Sequence, residues 1–150
     1  MMPDKESIAS VLERDAHITI KRWLVRAHLQ KDLLRCRLTD PERTKHLPQM
    51  IGDIVVRLRK VRVLEMVALP SPAAMSHGQT RHRQGYSLPM LVDESRILQV
   101  SLFETVQRHF SCLDPSVVLA DVMLIADEVD SQLGQAVSSF IKAAEETAAA

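Results

Sequence analysis

A run of polar side chains between positions 77 and 96 carries the residues that could do chemistry in this 150-residue chain. The candidate ligand- or signal-sensing residues are His77, Arg81, Gln84, Tyr86, Glu94 and Arg96. Imidazole, guanidinium, phenol and carboxylate groups together can bind a small ligand, or they can pair with one another inside a fold. Two interpretations therefore stay open: a sensing pocket, and a set of buried hydrogen bonds and ion pairs that only fixes the structure.

The six histidines raise the question of a metal or haem site. His77 and His82 are five residues apart, which turns them about 140° from each other on a helix, whereas two ligands on one helix need steps of three or four. His17 and His28 share a face but lie about 16 Å apart along the axis. Ligands could still meet across helices, but the spacing motivates no metal site and no cofactor, and we predict none.

The sequence lacks the common motifs of catalysis. It has no G-x-S-x-G elbow, no phosphate-binding glycine loop and no kinase signature, and only four glycines to build such loops. Equal numbers of basic and acidic residues, 19 of each, argue against nucleic acid as a partner. Two cysteines are too few for a disulfide scaffold, and no apolar run is long enough to cross a membrane. These features predict a non-enzymatic, cytoplasmic domain without membrane insertion.

The elements that must position the polar group are predicted to be helices. Apolar residues recur at helical spacing in four segments, which run from 3 to about 28, from 48 to about 68, from 88 to 110, and from 115 to about 140. The segment from 73 to 84 is poor in apolar residues, so a helix there packs only a thin edge or lines something polar. No stretch alternates apolar and polar residues long enough to predict a sheet.

Local signals predict where these helices begin and end. Gly85 suits the left-handed conformation that closes a helix, Ser87 can cap the next one, and Pro89 falls in its first turn. Asp40 and Asp114 are each followed by proline, which predicts two further helix starts with aspartate as the N-cap.

Together these signals predict an all-α fold, an antiparallel bundle of four long helices with short extra helical segments, in one domain covering 1–150. The last helix is predicted to run about 30 residues, longer than a compact bundle of this size needs. Its alanine- and glutamate-rich end suggests that the helix continues beyond Ala150 toward an output domain. A natural, fraying C-terminus is the alternative.

The corner at Gly85 resembles the RsbRD N-terminal domain family, the helical input module of RsbT co-antagonist proteins and of some bacterial sensor histidine kinases. Members have the pattern H-x(3)-R, then Q-G-aromatic-S-L, then E-x-R-x-L. The chain has at these positions His77, Arg81, Gln84, Gly85, Tyr86, Ser87, Leu88, Glu94, Arg96 and Leu98. The resemblance covers about Ser7 to Phe140 and includes Arg22-Trp23-Leu24 and His46-Leu47-Pro48.

The resemblance implies a non-catalytic sensory or assembly domain of a bacterial signalling protein. Such a domain passes a conformational change through its C-terminal helix to a kinase or STAS-type output domain, as in stress-response proteins. The resemblance also implies a homodimer or larger signalling assembly, and it leaves open that the whole protein is a histidine kinase. The residues themselves leave two other functions open: a free-standing ligand- or haem-binding bundle, and a helical adaptor.

Overall fold

The computed structural model of the chain describes residues 4–64 and 69–150. These residues form α1 (Ile8–Arg14), α2 (Ala16–His28), α3 (Lys31–Leu34), α4 (Asp40–Thr44), α5 (Leu47–Lys60), α6 (Pro72–Arg83), α7 (Leu88–Arg108) and α8 (Pro115–Ala149), with a 3-10 turn at Phe110–Cys112. Apart from one isolated parallel bridge between Glu6 and Leu113, the described residues contain no β-structure. The prediction of an all-α fold is confirmed.

The amino-terminal helix, predicted as one segment from Pro3 to about His28, is divided into α1 and α2 at Asp15. The backbone of Asp15 leaves the helical region, with φ −101° and ψ 20°. Its buried carboxylate lies 2.9 Å from His109 Nε2 and 3.2 Å from Arg14 Nε. Because these partners hold Asp15 at the break, the chain changes direction there although its apolar spacing is nearly continuous.

The two helices predicted to start at Asp40 and Asp114 are present, but the N-cap of the first is shifted by one residue. Asp114 is the N-cap of α8 and accepts a hydrogen bond from the Ser116 amide, as predicted. Thr39, and not Asp40, caps α4, because its hydroxyl accepts from the Glu42 amide. Helix α5 ends at Lys60, where Val61 adopts φ −128°. The predicted continuation to about Ala68 fails over 61–64, and its last four residues lie outside the described part of the chain.

Helix α6 is polar, as predicted, and it packs very closely on α8. A Cβ atom added at Gly78 would lie 2.1 Å from the carbonyl oxygen of Ala136. Only glycine allows this approach, since any side chain would push the two backbones apart. The thin apolar edge of α6 is therefore enough for packing on α8, because the backbone of α6 itself forms the contact surface.

The core lies between α1, α2, α5, α7 and α8 and is built mostly from leucine, isoleucine and valine. Trp23, the only tryptophan of the chain, is 1% exposed in this core. Every helix within 4–64 and 69–150 is either too short or too polar to cross a bilayer.

A buried charged cluster joins α5 to α8. Arg57 donates to the carboxylates of Glu128, at 2.9 Å, and Asp127. Burial raises the pKa of Glu128; the Arg57 guanidinium opposes this shift, and the nearby carboxylates of Asp53 and Asp127 add to it. This cluster fixes the register of the two helices at one end of the core.

Candidate functional site

The carboxylate of Glu94 is the centre of a buried network that joins α6 to α7. Glu94 Oε1 accepts a hydrogen bond from Tyr86 Oη at 2.8 Å and lies 2.9 Å from Nη2 of the Arg81 guanidinium, with which it forms an ion pair. Its other oxygen, Oε2, lies 3.0 Å from His77 Nε2 and 3.2 Å from Arg81 Nε. His77, Arg81, Tyr86 and Glu94 are each less than a tenth exposed. We call these four residues the Glu94 network.

Arg81 extends the network to the end of α4. One terminal nitrogen donates to the carbonyl of Arg43 at 2.8 Å, and the other donates to Gln84 Oε1 at 2.7 Å and to the carbonyl of Glu42. The guanidinium carbon also lies 4.7 Å from the centre of the Tyr86 ring. Arg81 thus neutralises Glu94 and, as a cation at a helix C-terminus, satisfies carbonyls that α4 leaves unpaired.

The local sequence explains how the network assembles. His77 and Arg81 are four residues apart, so they project from one face of α6. Gly85 then adopts φ +88°, the left-handed conformation predicted for it, and reverses the chain. This turn brings Tyr86 and, two turns into α7, Glu94 against the same face of α6.

The charges within the network balance each other. Burial alone would raise the pKa of Glu94, but hydrogen bonds and positive charge from His77 and Arg81 outweigh it and hold that pKa below its usual value. Burial, reinforced by the charge of Glu94, raises the pKa of Tyr86 far above neutral pH. Glu94 is therefore a carboxylate and Tyr86 a neutral hydrogen-bond donor.

His46, immediately before α5, adds a second imidazole to the site. Its ring stacks on that of His77 with centroids 3.6 Å apart and planes 11° from parallel, and the Trp23 ring meets it edge-on at 5.9 Å. Burial, together with the charges of His77 and Arg81, lowers the pKa of His46 well below the usual value. His46 is thus a neutral imidazole with an unshared nitrogen lone pair.

His46 was not among the predicted site residues, although it lies in the His46-Leu47-Pro48 segment that entered the family resemblance. The spacing argument compared histidines on one helix, whereas His46 precedes α5 and its partner His77 lies on α6. His46, His77 and Glu94 each bring a potential metal-ligating atom within 4.8 Å of the others, from three different elements.

A small cavity borders these residues on the side of α8. Its volume is about 20 Å³, enough for one water-sized molecule. His46, His77, Glu94 and Gln132 are among its lining residues. Gln132 is fully buried, and its Nε2 donates to the Met50 carbonyl at 3.0 Å, while its Oε1 has no hydrogen-bond partner in the described part of the chain. A residue that lines the cavity thus carries a buried acceptor that lacks a donor.

An open groove also borders His46 and His77. It has a volume of about 410 Å³ and runs between the start of α5 and α6, with His46, His77 and Arg81 in its floor. The two imidazoles therefore border both the cavity and the groove.

The structure brings together five of the six predicted site residues and leaves out Arg96. Gln84 joins through Arg81, whereas Arg96 is exposed beside Leu29 in a groove between α2 and α7. Two residues along a helix turn a side chain by about 200°, so Arg96 points away from the face that buries Glu94.

Comparisons of this chain with protein-family models, with curated proteins and with solved structures give no match. The site is therefore interpreted from its own geometry.

Proposed function

We propose that this chain is a non-catalytic signal-input domain, in which the Glu94 network is the sensing element and α8 carries its state to an output domain of the kinase or STAS type. The observation that carries the proposal is the complete burial of the Arg81–Glu94 ion pair at the junction of α4, α6 and α7. A buried ion pair adds little stability compared with apolar residues of the same volume, yet losing one partner is costly. Such a pair suits a switch better than a scaffold.

The position of α8 supports its role as transmitter. The helix packs against α5, α6 and α7, and its residues Gln132 and Ala136 border the cavity beside the network. Beyond Phe140, none of its side chains is buried. A change at the network would therefore reach α8 directly, and the exposed turns could pack against another domain.

The proposal includes the arrangement expected from the sequence. We propose that α2, α5, α7 and α8, which contact one another in a closed ring, form the antiparallel bundle, with the shorter helices as corners. We propose further that the domain works in the cytoplasm as a homodimer or larger assembly. Exposed apolar residues at the end of α2 and on α7, including Leu29 and Val100, offer a surface for self-association.

Haem binding, the main alternative, finds little support in the interior. The cavity beside His46 and His77 has a volume of about 20 Å³, far less than the several hundred that a bound cofactor occupies. A haem placed in this cavity, rather than in the open groove of about 410 Å³, would have to open the contact between α6 and α8, where Gly78 meets the backbone of Ala136.

The proposal is tested by joining residues 1–150 through α8 to a histidine kinase module and measuring autophosphorylation. Glu94→Gln should change the rate at least ~5-fold, the lower end of ordinary allosteric coupling. Inserting two residues after Glu145 turns the following helix by about 200° and should change the output, whereas seven residues nearly restore the phase. Equal rates for all variants, with unchanged helical content, would contradict the proposal.

A further inference from the structure

The strongest feature outside the role described above is the set of ligating atoms on His46, His77 and Glu94. They come from the start of α5, from α6 and from α7, and all lie within 4.8 Å of one another. Two nitrogens and one carboxylate oxygen form the donor set of many mononuclear metal centres. We propose that His46, His77 and Glu94 bind one divalent transition-metal ion.

The donor types define the class of ion. Imidazole nitrogens suit Zn²⁺, Fe²⁺, Co²⁺ and Ni²⁺, whereas Mg²⁺ and Ca²⁺ prefer sites made of oxygen ligands alone. A three-residue set also leaves positions for water or a substrate. The expected occupant is thus an ion of the Zn²⁺ or Fe²⁺ type with an incomplete protein coordination shell.

The network already orients the carboxylate for this purpose. Tyr86 donates to Glu94 Oε1, and Arg81 contacts both oxygens, through Nη2 at Oε1 and Nε at Oε2, while Oε2 also lies 3.0 Å from His77 Nε2. Two ligands at right angles, each ~2.1 Å from an ion, are also separated by ~3 Å. The residues that hold Oε1 therefore act as the outer partners that position a metal ligand.

Gln132 provides an independent indication of a bound group. Gln132 lines the same cavity as His46, His77 and Glu94, and its Oε1 is buried without a hydrogen-bond partner among residues 4–64 and 69–150. An unpaired buried acceptor is costly, and a water molecule on the ion would supply the missing donor. The cavity, at about 20 Å³, holds one such water.

Binding requires the stacked rings to separate. A metal ion lies near the plane of each imidazole that binds it, and two planes 11° from parallel cannot both contain an ion between them. His46 must therefore tilt away from His77, and the open groove beside it leaves space for this movement. Since the Trp23 ring packs against the His46 ring at 80° between their planes, the single tryptophan reports the tilt.

The guanidinium of Arg81 limits the affinity of the proposed site for a metal ion. It contacts both oxygens of Glu94 and opposes a second positive charge there. The site is consequently suited to reversible binding. This inference deepens the proposed function, and it rests on that proposal where it makes the ion the signal that the network detects.

The test is a titration of the full chain with Co²⁺, followed by visible absorption and by Trp23 emission, and repeated with Zn²⁺ in a calorimeter. We expect one ion per chain and a change in Trp23 emission that saturates with the cobalt absorption band. His46→Phe keeps an aromatic ring between Trp23 and His77 but removes both nitrogens. It should weaken binding at least ~10-fold, since even loss of an outer-shell residue typically costs that much.

The control is His17→Gln, which alters an exposed histidine on α2 and should leave affinity unchanged. No saturable binding, or equal affinity in wild type and His46→Phe, would overturn the metal site. Because His46→Phe leaves the Glu94 network intact, its helical content should match wild type and its binding result stays interpretable. Binding without a change in the kinase fusion would uphold the site and contradict only the signalling role.

Discussion

Arg81 and Glu94 form a two-point ion pair in which both side chains are almost fully buried, at 1% and 3% exposure. The pair joins α6 to α7 across the turn at Gly85, and Tyr86 and His77 complete the hydrogen bonds of the carboxylate. Such a pair is costly to break from one side only, because the remaining charge has no solvent to replace its partner.

Glu94→Gln should therefore lower the free energy of unfolding by about 3 kcal/mol, since it leaves the Arg81 guanidinium buried without a counter-ion. Urea unfolding followed by circular dichroism measures the loss. Glu13→Gln is the matched control, because Glu13 pairs with Arg59 at the surface and such pairs contribute little. Similar losses of unfolding free energy in both variants would show that the buried Arg81–Glu94 pair is no more costly to break than the exposed pair.

The raised pKa of Glu128 predicts a pH effect in the buried charged cluster that joins α5 to α8. A carboxyl group whose folded pKa lies above its unfolded value stabilises the fold below the unfolded pKa, and this contribution is lost as the pH rises through the folded pKa. From pH 4 to pH 7, wild type should therefore lose stability relative to Glu128→Gln, which keeps an oxygen for Arg57. Unfolding free energies of both proteins, measured at several pH values, give this difference. A difference that is constant, or that changes in the opposite direction with pH, would contradict the raised pKa of Glu128.

Gly78→Ala should destabilise the protein because its new Cβ would lie 2.1 Å from the Ala136 carbonyl oxygen. We expect a loss of about 2 kcal/mol or more, as in other overpacked contacts, from separation of α6 and α8. Gly134→Ala is the control, since its Cβ would meet nothing within 4 Å and alanine favours a helix by up to about 1 kcal/mol. The melting temperature should fall in Gly78→Ala and rise in Gly134→Ala. A change in the same direction in both variants would be inconsistent with this packing.

Leu29→Glu tests self-association through the surface between α2 and α7. Leu29 is 75% exposed and lies beside Val100, so a charge there should weaken a dimer formed by this face. Sedimentation velocity should show a larger fraction of monomer in Leu29→Glu than in wild type. Leu119→Glu changes a leucine on α8 that is 71% exposed and serves as the comparison. If only Leu119→Glu dissociates the dimer, α8 provides the interface.

Much of the local structure follows from short-range sequence signals. The αL conformation of Gly85, the helix start at Asp114 and the spacing of His77 and Arg81 each depend on residues within one helical turn. The turn at Gly85 then brings Tyr86 and Glu94, which are eight residues apart, to the same face of α6, so five of the six predicted site residues meet as a group.

Other features depend on residues far apart in the chain. The division at Asp15 is held by His109, more than 90 positions away, and apolar spacing carries no trace of it. His46 reaches His77 only because α5 and α6 cross at that point, and Gln132 arrives from α8. Arg96 matched the motif but turned outward with its face of α7.

The sequence by itself thus determined an all-helical chain, most of its helix starts, and the polar group at the Gly85 corner. The tertiary structure alone decided that this group is buried, that a second histidine stacks on it, and that a glutamine whose amide oxygen has no partner among the described residues lines the same cavity. Periodicity and capping act over three or four residues, whereas burial and ligand sets depend on the crossing of distant helices.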